Sequence, residues 1–307
     1  MKSSKKTTIF VFLDGIGFGN SSDSNPFKKY GRDFFSVLGQ RPYKGPGTIL
    51  ETDAQMGISG APQSATGQTA LFTGYNGPEI LGRHVNGYPT FSLRPYLKQH
   101  SIFCRLKEQG KTGVLLNSFT DWFLKRMNHP RRERLLSASV QLQLSSGEKL
   151  FTMEDYEAGN SLYMDLTNWF LRKMGHSIPM VNAKTNGKKL VQIARKYDVA
   201  VFEYFFTDKV GHEQSMGAAK RVINHIEDFF EGIYEELDPE NELFIASSDH
   251  GNLEDLSVKS HTENPVPTFL YGRSEELAAK SISRLYDIPR FILKDNEVPF
   301  EQKPEIA

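Results

Sequence analysis

Runs of β-branched and aromatic residues alternate along this chain with stretches of helical periodicity, and that order limits the fold more than any other feature. Strand, helix and strand in succession predict crossover units, and crossover units predict an α/β fold with a mainly parallel central sheet between helical layers. The first strand is read at Thr8 to Leu13, followed by a loop rich in Gly, Ser, Asn and Pro to about Gly60. Ser64 to Phe72 reads as a helix stopped at Thr73-Gly74, and Pro95 to Gln109 as a helix stopped at Gly110 that feeds a strand over Thr112 to Asn117. The rhythm blurs from about Phe119 to Pro179, where two tryptophans, a basic cluster and a polar strand-like run near Gln141 to Leu150 are read as an insertion. It then resumes with helix Asn186 to Lys196, strand Val199 to Phe206, helix Ser215 to Leu237, strand Leu243 to Ser247 and a late strand Thr268 to Tyr271. The expected organisation is a three-layer core over 1–118 and 180–307 with a small inserted subdomain over 119–179.

With 307 residues, 38% of them hydrophobic, the chain is long enough to bury a substantial core. Basic and acidic residues both number 37, so no global field draws it to nucleic acid or to an anionic membrane. Any anion specificity must be local. The single cysteine, Cys104, excludes an intrachain disulfide framework and a cysteine-rich zinc site, and makes a reducing cytoplasm the expected compartment. The apolar run Ile9 to Leu13 is too short for a signal core, and no membrane span is visible. The sequence carries no signal for a particular oligomeric state.

In such a sheet the chemistry is expected at the carboxyl ends of the strands. Asp14 follows the first strand directly; alone it reads as a turn residue. Gly15, Gly17 and Gly19 imitate a dinucleotide fingerprint, but their spacing is wrong and they open no helix. Ser64 opens a helix after a Gly-Pro loop, where unpaired amides and the dipole favour an anion, although an N-cap serine would look the same. Asp208 and His212 stand four residues apart after one strand, so one turn can aim both at a single ion. Asp249 and His250 follow another strand, and His261 lies in a loop stiffened by Pro265 and Pro267.

Ser-Asp-His-Gly-Asn at 248–252 and His-Thr-Glu-Asn-Pro-Val-Pro at 261–267 resemble the metal signature of the cofactor-independent phosphoglycerate mutases, members of the alkaline phosphatase superfamily. Asp208 to His212 resembles the same family's Asp-x-x-Gly-His motif, and Asp14 matches its aspartate after the first strand. The family's nucleophile stands ten residues before a glycine, and Gly74 then points to Ser64. The resemblance covers roughly residues 7–117 and 186–272. It implies an alkaline phosphatase-like fold and two divalent ions, Mn²⁺ or Zn²⁺, which ligand type does not separate. Asp208, His212 and His261 would hold one ion, and Asp14, Ser64, Asp249 and His250 the other.

The chemistry so implied is in-line attack by Ser64 on a small phosphorylated substrate, giving a phosphoserine. The mutases carry a large second domain between nucleophile and Asp208, whereas this chain has about sixty residues there, and Ala65 and Gln68 stand where the mutases more often show an acidic residue and a histidine. Hydrolysis is therefore expected, with phosphomutase or phosphotransferase activity as the alternative and a non-catalytic metal-binding module as a third reading. Sulfatase chemistry is disfavoured because Ser64-Ala65-Thr66-Gly67-Gln68 lacks that family's arginine. For substrate binding the candidates are Arg83, His84, Lys209 and Arg126, the last with Arg131, Arg132 and Arg134 in the basic cluster. Trp122, Trp169, His225 and Cys104 are expected to be packing or structural residues.

Overall fold

Seven consecutive buried residues, Thr7–Leu13, form strand β1, and their alternation divides the core in two. Ile9, Val11 and Leu13 join one apolar cluster and Phe10 and Phe12 the other, as a two-residue period requires of a strand covered on both faces. A computed structural model of the chain describes residues 5–127 and 135–302. The other strands are β2 (Thr48–Thr52), β3 (Gly113–Leu115), β4 (Val199–Tyr204), β5 (Glu242–Ser247) and β6 (Val266–Gly272), in the sheet order β2-β6-β5-β1-β4-β3. Strands β1, β3, β4 and β5 are mutually parallel, while β6 is antiparallel to both β5 and β2.

The first half contributes helices α1 (Pro26–Tyr30), α2 (Ser64–Thr73), α3 (Gly77–Leu81), α4 (Arg94–His100), α5 (Ile102–Glu108), α6 (Asp121–Met127) and α7 (Ala138–Ser145). The second half contributes α8 (Met153–Glu157), α9 (Trp169–Lys173), α10 (Ala183–Ala194), α11 (Phe206–Glu213), α12 (Met216–Glu236), α13 (Glu275–Ser281) and α14 (Asp287–Asp295). Leu190 and Val191 of α10 and Ile226, Phe229 and Phe230 of α12 cover one face of the sheet. Leu71 and Phe72 of α2, Phe103 and Leu106 of α5 and Phe291 of α14 cover the other. The three-layer α/β sandwich expected from the alternation is the observed architecture.

Local departures have identifiable causes. Strand β2 lies inside the stretch read as loop, because a five-residue, half-buried edge strand carrying Glu51 offers no long apolar run. The helix read over Pro95 to Gln109 breaks at Ser101, which takes an extended conformation (ψ 158°) and caps α5 by accepting from the Cys104 amide. Gln141 to Leu150 is not strand-like: Ser137 caps α7, whose Ala138 and Leu142 face the core, and the alternating Gln-Leu-Gln-Leu only imitates a strand period. Helix α7 touches α2, α4, α5 and β3, so this part of the expected insertion is built onto the core. Tyr156, Tyr163 and Leu171 form a separate small cluster within the rest of it. Trp122 and Trp169, expected to pack, are 69% and 49% exposed. Cys104, expected in the core, is half-buried in α5. Among the described residues no helix is long and apolar enough to cross a membrane.

Phe72 fixes the serine helix to the sheet. It is fully buried, with its ring edge-on to Phe10 at 6.5 Å and to Phe12 at 5.7 Å. Phe72→Ala is expected to cost about 3–5 kcal/mol of unfolding free energy, read from the shift of the urea midpoint.

Candidate metal centre and nucleophile

The parallel registers bring three strand ends to one place. Leu13 pairs with Tyr204 and Phe12 with Ser247, so Asp14, the α11 turn and the Ser248–His250 loop leave the sheet side by side. Strand β4 ends two residues sooner than the periodicity suggested, and Phe206 opens α11, which places Asp208 and His212 one turn apart on that helix. Gly15 has φ +71°, and a Cβ there would lie 2.8 Å from the Asp208 Cα, so only glycine allows the two loops to close. On the other side Gly67 presses α2 onto the third loop, where a Cβ would lie 2.8 Å from the Asp249 carbonyl oxygen.

Six of the predicted residues converge there with Ser64. Donor atoms of Asp208, His212 and His261 lie within 4.8 Å of one another, and so do those of Asp14, Asp208 and His250. Asp208 thus belongs to both groups. Its carboxylate lies 3.3 Å from His212 Nε2 and 3.5 Å from His261 Nε2, and those two nitrogens are 3.3 Å apart. His250 Nε2 lies 3.4 Å from Asp14 Oδ1, 3.4 Å from Asp249 Oδ2 and 3.0 Å from the Ser64 hydroxyl. The Ser64 hydroxyl also donates to Asn86 Oδ1 at 3.2 Å.

Among the described residues only histidines, and no lysine or arginine, pair with Asp14, Asp208 and Asp249. His212 Nδ1 faces the Lys259 carbonyl at 2.8 Å, His261 Nδ1 that of Pro62 at 3.3 Å and His250 Nδ1 that of Gly251 at 3.4 Å. A carbonyl only accepts, so each Nδ1 carries a proton; burial pushes His261 down, but its hydrogen bond to Asp208 and the charges of Asp208 and Asp249 outweigh that and raise it above its usual range. The buried Asp14 Oδ1 has no hydrogen-bond partner among the described residues. Burial, reinforced by Asp249 and Asp208, holds the Asp14 carboxyl well above its usual range, and burial pushes Asp249 up to about 7. Burial and the neighbouring His261 drive His250 down to about 3. Asp208 is pushed up by burial too, but its hydrogen bond to His261 and the adjacent imidazoles outweigh that and bring it to about 2. Oxygen and imidazole donors gathered around orphaned negative charge suit divalent metal.

The fastening of these loops was not legible at the outset. Buried Glu254 accepts from the Gly17 and Asn252 amides, both at 2.8 Å, from the Asn264 side chain at 3.0 Å and from the Thr262 hydroxyl. One carboxylate therefore ties the loop after β1, the loop after β5 and the segment bearing His261. Asn252 donates to Asp208 Oδ1 at 2.6 Å and Gln68 to Asp249 Oδ2 at 3.0 Å, orienting both carboxylates. A second missed residue is Glu203, whose sequence signal is an acid inside the apolar run of β4; burial pushes it up to about 7.

Lys209 borders a cavity of about 390 Å³ together with Asp14, Ser64 and Asp208. Arg83 is exposed, His84 Nε2 is spent on the Ile58 carbonyl at 2.9 Å, and Arg126 is exposed with its guanidinium 5.6 Å from the Trp122 ring centre; none of the three borders the cavity. Arg131, Arg132 and Arg134 lie outside the described residues. His225 is half-buried on α12, apart from the cluster.

Residues 172–298 match the Metalloenzyme superfamily, a span that contains Asp208, His212, Asp249, His250 and His261. Over 122 residues, 38% of this chain, the sequence is 28% identical to the 2,3-bisphosphoglycerate-independent phosphoglycerate mutase of Methylobacillus flagellatus. Over 107 residues, 33% of this chain, it is 31% identical to the same enzyme of Ehrlichia canis. These matches take in 23% and 21% of the relatives, so the chain spans less than a quarter of their length. In fold, a protein of Pyrococcus horikoshii superposes with a TM-score of 0.53 at 14% identity over 97% of this chain and 99% of that one. The alkaline phosphatase of the Antarctic bacterium TAB5 gives 0.51 at 14% identity over 97% and 100%.

Two outcomes follow from the geometry. Glu254→Ala leaves the Gly17 and Asn252 amides unpaired and is expected to destabilise the fold by about 3 kcal/mol in urea unfolding, with Glu254→Gln losing less. In chelator, the folded chain keeps protons on Asp14 and Asp249 that an unfolded chain has released, so stability falls as pH rises from about 5 toward 7. Thermal unfolding in buffers across that interval checks the sign; a rise would contradict it.

Proposed function

We propose that this chain, which joins an alkaline phosphatase-like fold to a stretch of the Metalloenzyme superfamily, cleaves a small phosphate ester with Ser64 as nucleophile. The observation that carries the reading is the Ser64 hydroxyl at the first turn of α2, 3.0 Å from His250 Nε2 within the carboxylate-imidazole cluster. Asp208, His212 and His261 would hold one divalent ion, and Asp14, Asp249, His250 and Ser64 a second, with Asp208 in reach of both sets. Bound there, such ions supply Lewis-acid charge to phosphoryl oxygens and lower the pKa of a coordinated water from 15.7 to about 7. Manganese and zinc suit these donors equally.

The chain's own residues do the rest. The free amides at the start of α2 and its dipole favour an anionic phosphoryl group beside Ser64. Asn86 Oδ1 accepts a hydrogen bond from the Ser64 hydroxyl and fixes the direction of its oxygen. Attack forms the bond from Ser64 Oγ to phosphorus and breaks the bond to the alcohol, which leaves with a proton. Water then cleaves the phosphoserine, releasing inorganic phosphate and restoring the hydroxyl. The likeness to phosphoglycerate mutases favours a second reading, in which the phosphoserine returns its phosphate to the departing alcohol. Hydrolysis is the better fit to a chain with about sixty residues between its two core segments, too few to enclose a substrate as a separate domain would. Balanced charge and a single cysteine support a small-molecule substrate in a reducing cytoplasm.

With Mn²⁺ or Zn²⁺ present, Ser64→Ala is expected to lower kcat on p-nitrophenyl phosphate by about 10³-fold or more. Wild-type protein should release inorganic phosphate from a labelled ester through a label on Ser64. Label recovered only on an organic product would instead establish the transferase reading.

A further inference from the structure

The cavity beside Ser64 has one polar feature that phosphoryl transfer does not use. Glu203 projects from β4 on the same face as Val199 and Val201, so an apolar row ends in a carboxyl. Its backbone is clamped by Asn117, whose side chain accepts from the Glu203 amide and donates to its carbonyl, both at 2.8 Å. Ser139 of α7 donates to Oε2, and Oε1 has no partner among the described residues. Glu203 therefore stands fixed on the cavity wall with one oxygen to offer.

Aromatic rings share the cavity wall with Ser137, Lys209 and the residues of the metal centre. Phe119 and Phe123, stacked with centroids 4.8 Å apart, line the cavity with Tyr88 and Phe205. Lys209 is the one lysine or arginine among the described lining residues, and its ammonium lies 5.6 Å from the ring centres of Phe170 and Phe206, with no ion pair to Glu203. A fixed acceptor beside aromatic rings gains from a hydroxyl or ammonium donor, whereas at about pH 8, where Glu203 is charged, a second carboxylate brought beside it meets like charge with little water to screen it.

We infer that Glu203 is a specificity-determining residue that selects phosphate esters whose alcohol part carries a hydroxyl or ammonium donor and rejects those that carry a carboxylate. The assignment rests on the reading of Ser64 as the phosphoryl-binding end of this cavity. On this assignment an ester of glyceric acid, whose alcohol part carries a carboxylate, is disfavoured.

Glycerol 3-phosphate and 3-phosphoglycerate make a matched pair, differing in a hydroxymethyl against a carboxylate, and phosphoethanolamine tests the ammonium arm. Binding of each to Mn²⁺-loaded Ser64→Ala protein, measured by calorimetry, reads recognition without turnover. Glycerol 3-phosphate or phosphoethanolamine is expected to bind about tenfold or more tighter than 3-phosphoglycerate, and adding Glu203→Gln should bring the preference within about threefold. Glu203→Asp, which keeps the charge, should retain a preference of the same sign, and thermal melts confirm that each variant is folded. Equal binding of the pair, tighter binding of 3-phosphoglycerate, or a preference that survives Glu203→Gln would overturn the role of Glu203. Selective binding with no turnover of any ester by the wild-type protein would instead overturn the catalytic reading and leave the recognition standing.

Discussion

Mutual repulsion among carboxylates gathered at one edge of the sheet, relieved only in part by the imidazoles and amides beside them, is the constraint on which this structure turns. Asp14, Asp208 and Asp249 meet there, with three imidazoles beside them and no lysine or arginine paired to any of the three among the described residues. Two like charges 4 Å apart in a partly buried site cost on the order of 4 kcal/mol, more than a few surface ion pairs can offset. A folded chain can hold such a cluster only by protonating it, as the upward displacement of Asp14 and Asp249 indicates, or by taking up cations. Asp208 is central because it shares one group of donors with His212 and His261 and another with Asp14 and His250.

Holding that cluster together requires rigid support, and the fold provides it at several levels. Parallel strands set the ends of β1, β4 and β5 in register, while Gly15 and Gly67 let neighbouring segments approach closer than any side chain would permit. Glu254 then joins three loops through four hydrogen bonds, so the donors are carried by segments that move as one. Phe72 locks the serine helix to the central strand from below. Ser64 is thereby placed by the apolar core, and its neighbours by a polar network of loops.

Much of this was legible before the fold was seen, for physical reasons that differ between residues. Asp14, Asp208, Asp249 and His250 follow strongly apolar strands, so a period-two reading locates them directly; Ser64 follows a Gly-Pro loop at a helix start. Strand β2 escaped because an edge strand buries little, and α7 was misread because its alternating glutamine and leucine mimic a strand until Ser137 is recognised as a cap. Glu254 and Glu203 act through contacts with segments far away in sequence, which no local pattern encodes. Arg83 and Arg126 are exposed and do not border the cavity beside Ser64, a placement that composition alone does not encode.

The functional account therefore reduces to a statement about where charge must sit. Anomalous diffraction from crystals grown with Mn²⁺, collected at the manganese edge, tests that statement most directly. The account predicts two peaks, one among Asp208, His212 and His261 and one beside Asp14, Asp249, His250 and Ser64, about 4 Å apart as in two-metal sites generally. A single peak remote from these side chains, or none at saturating Mn²⁺, would contradict it.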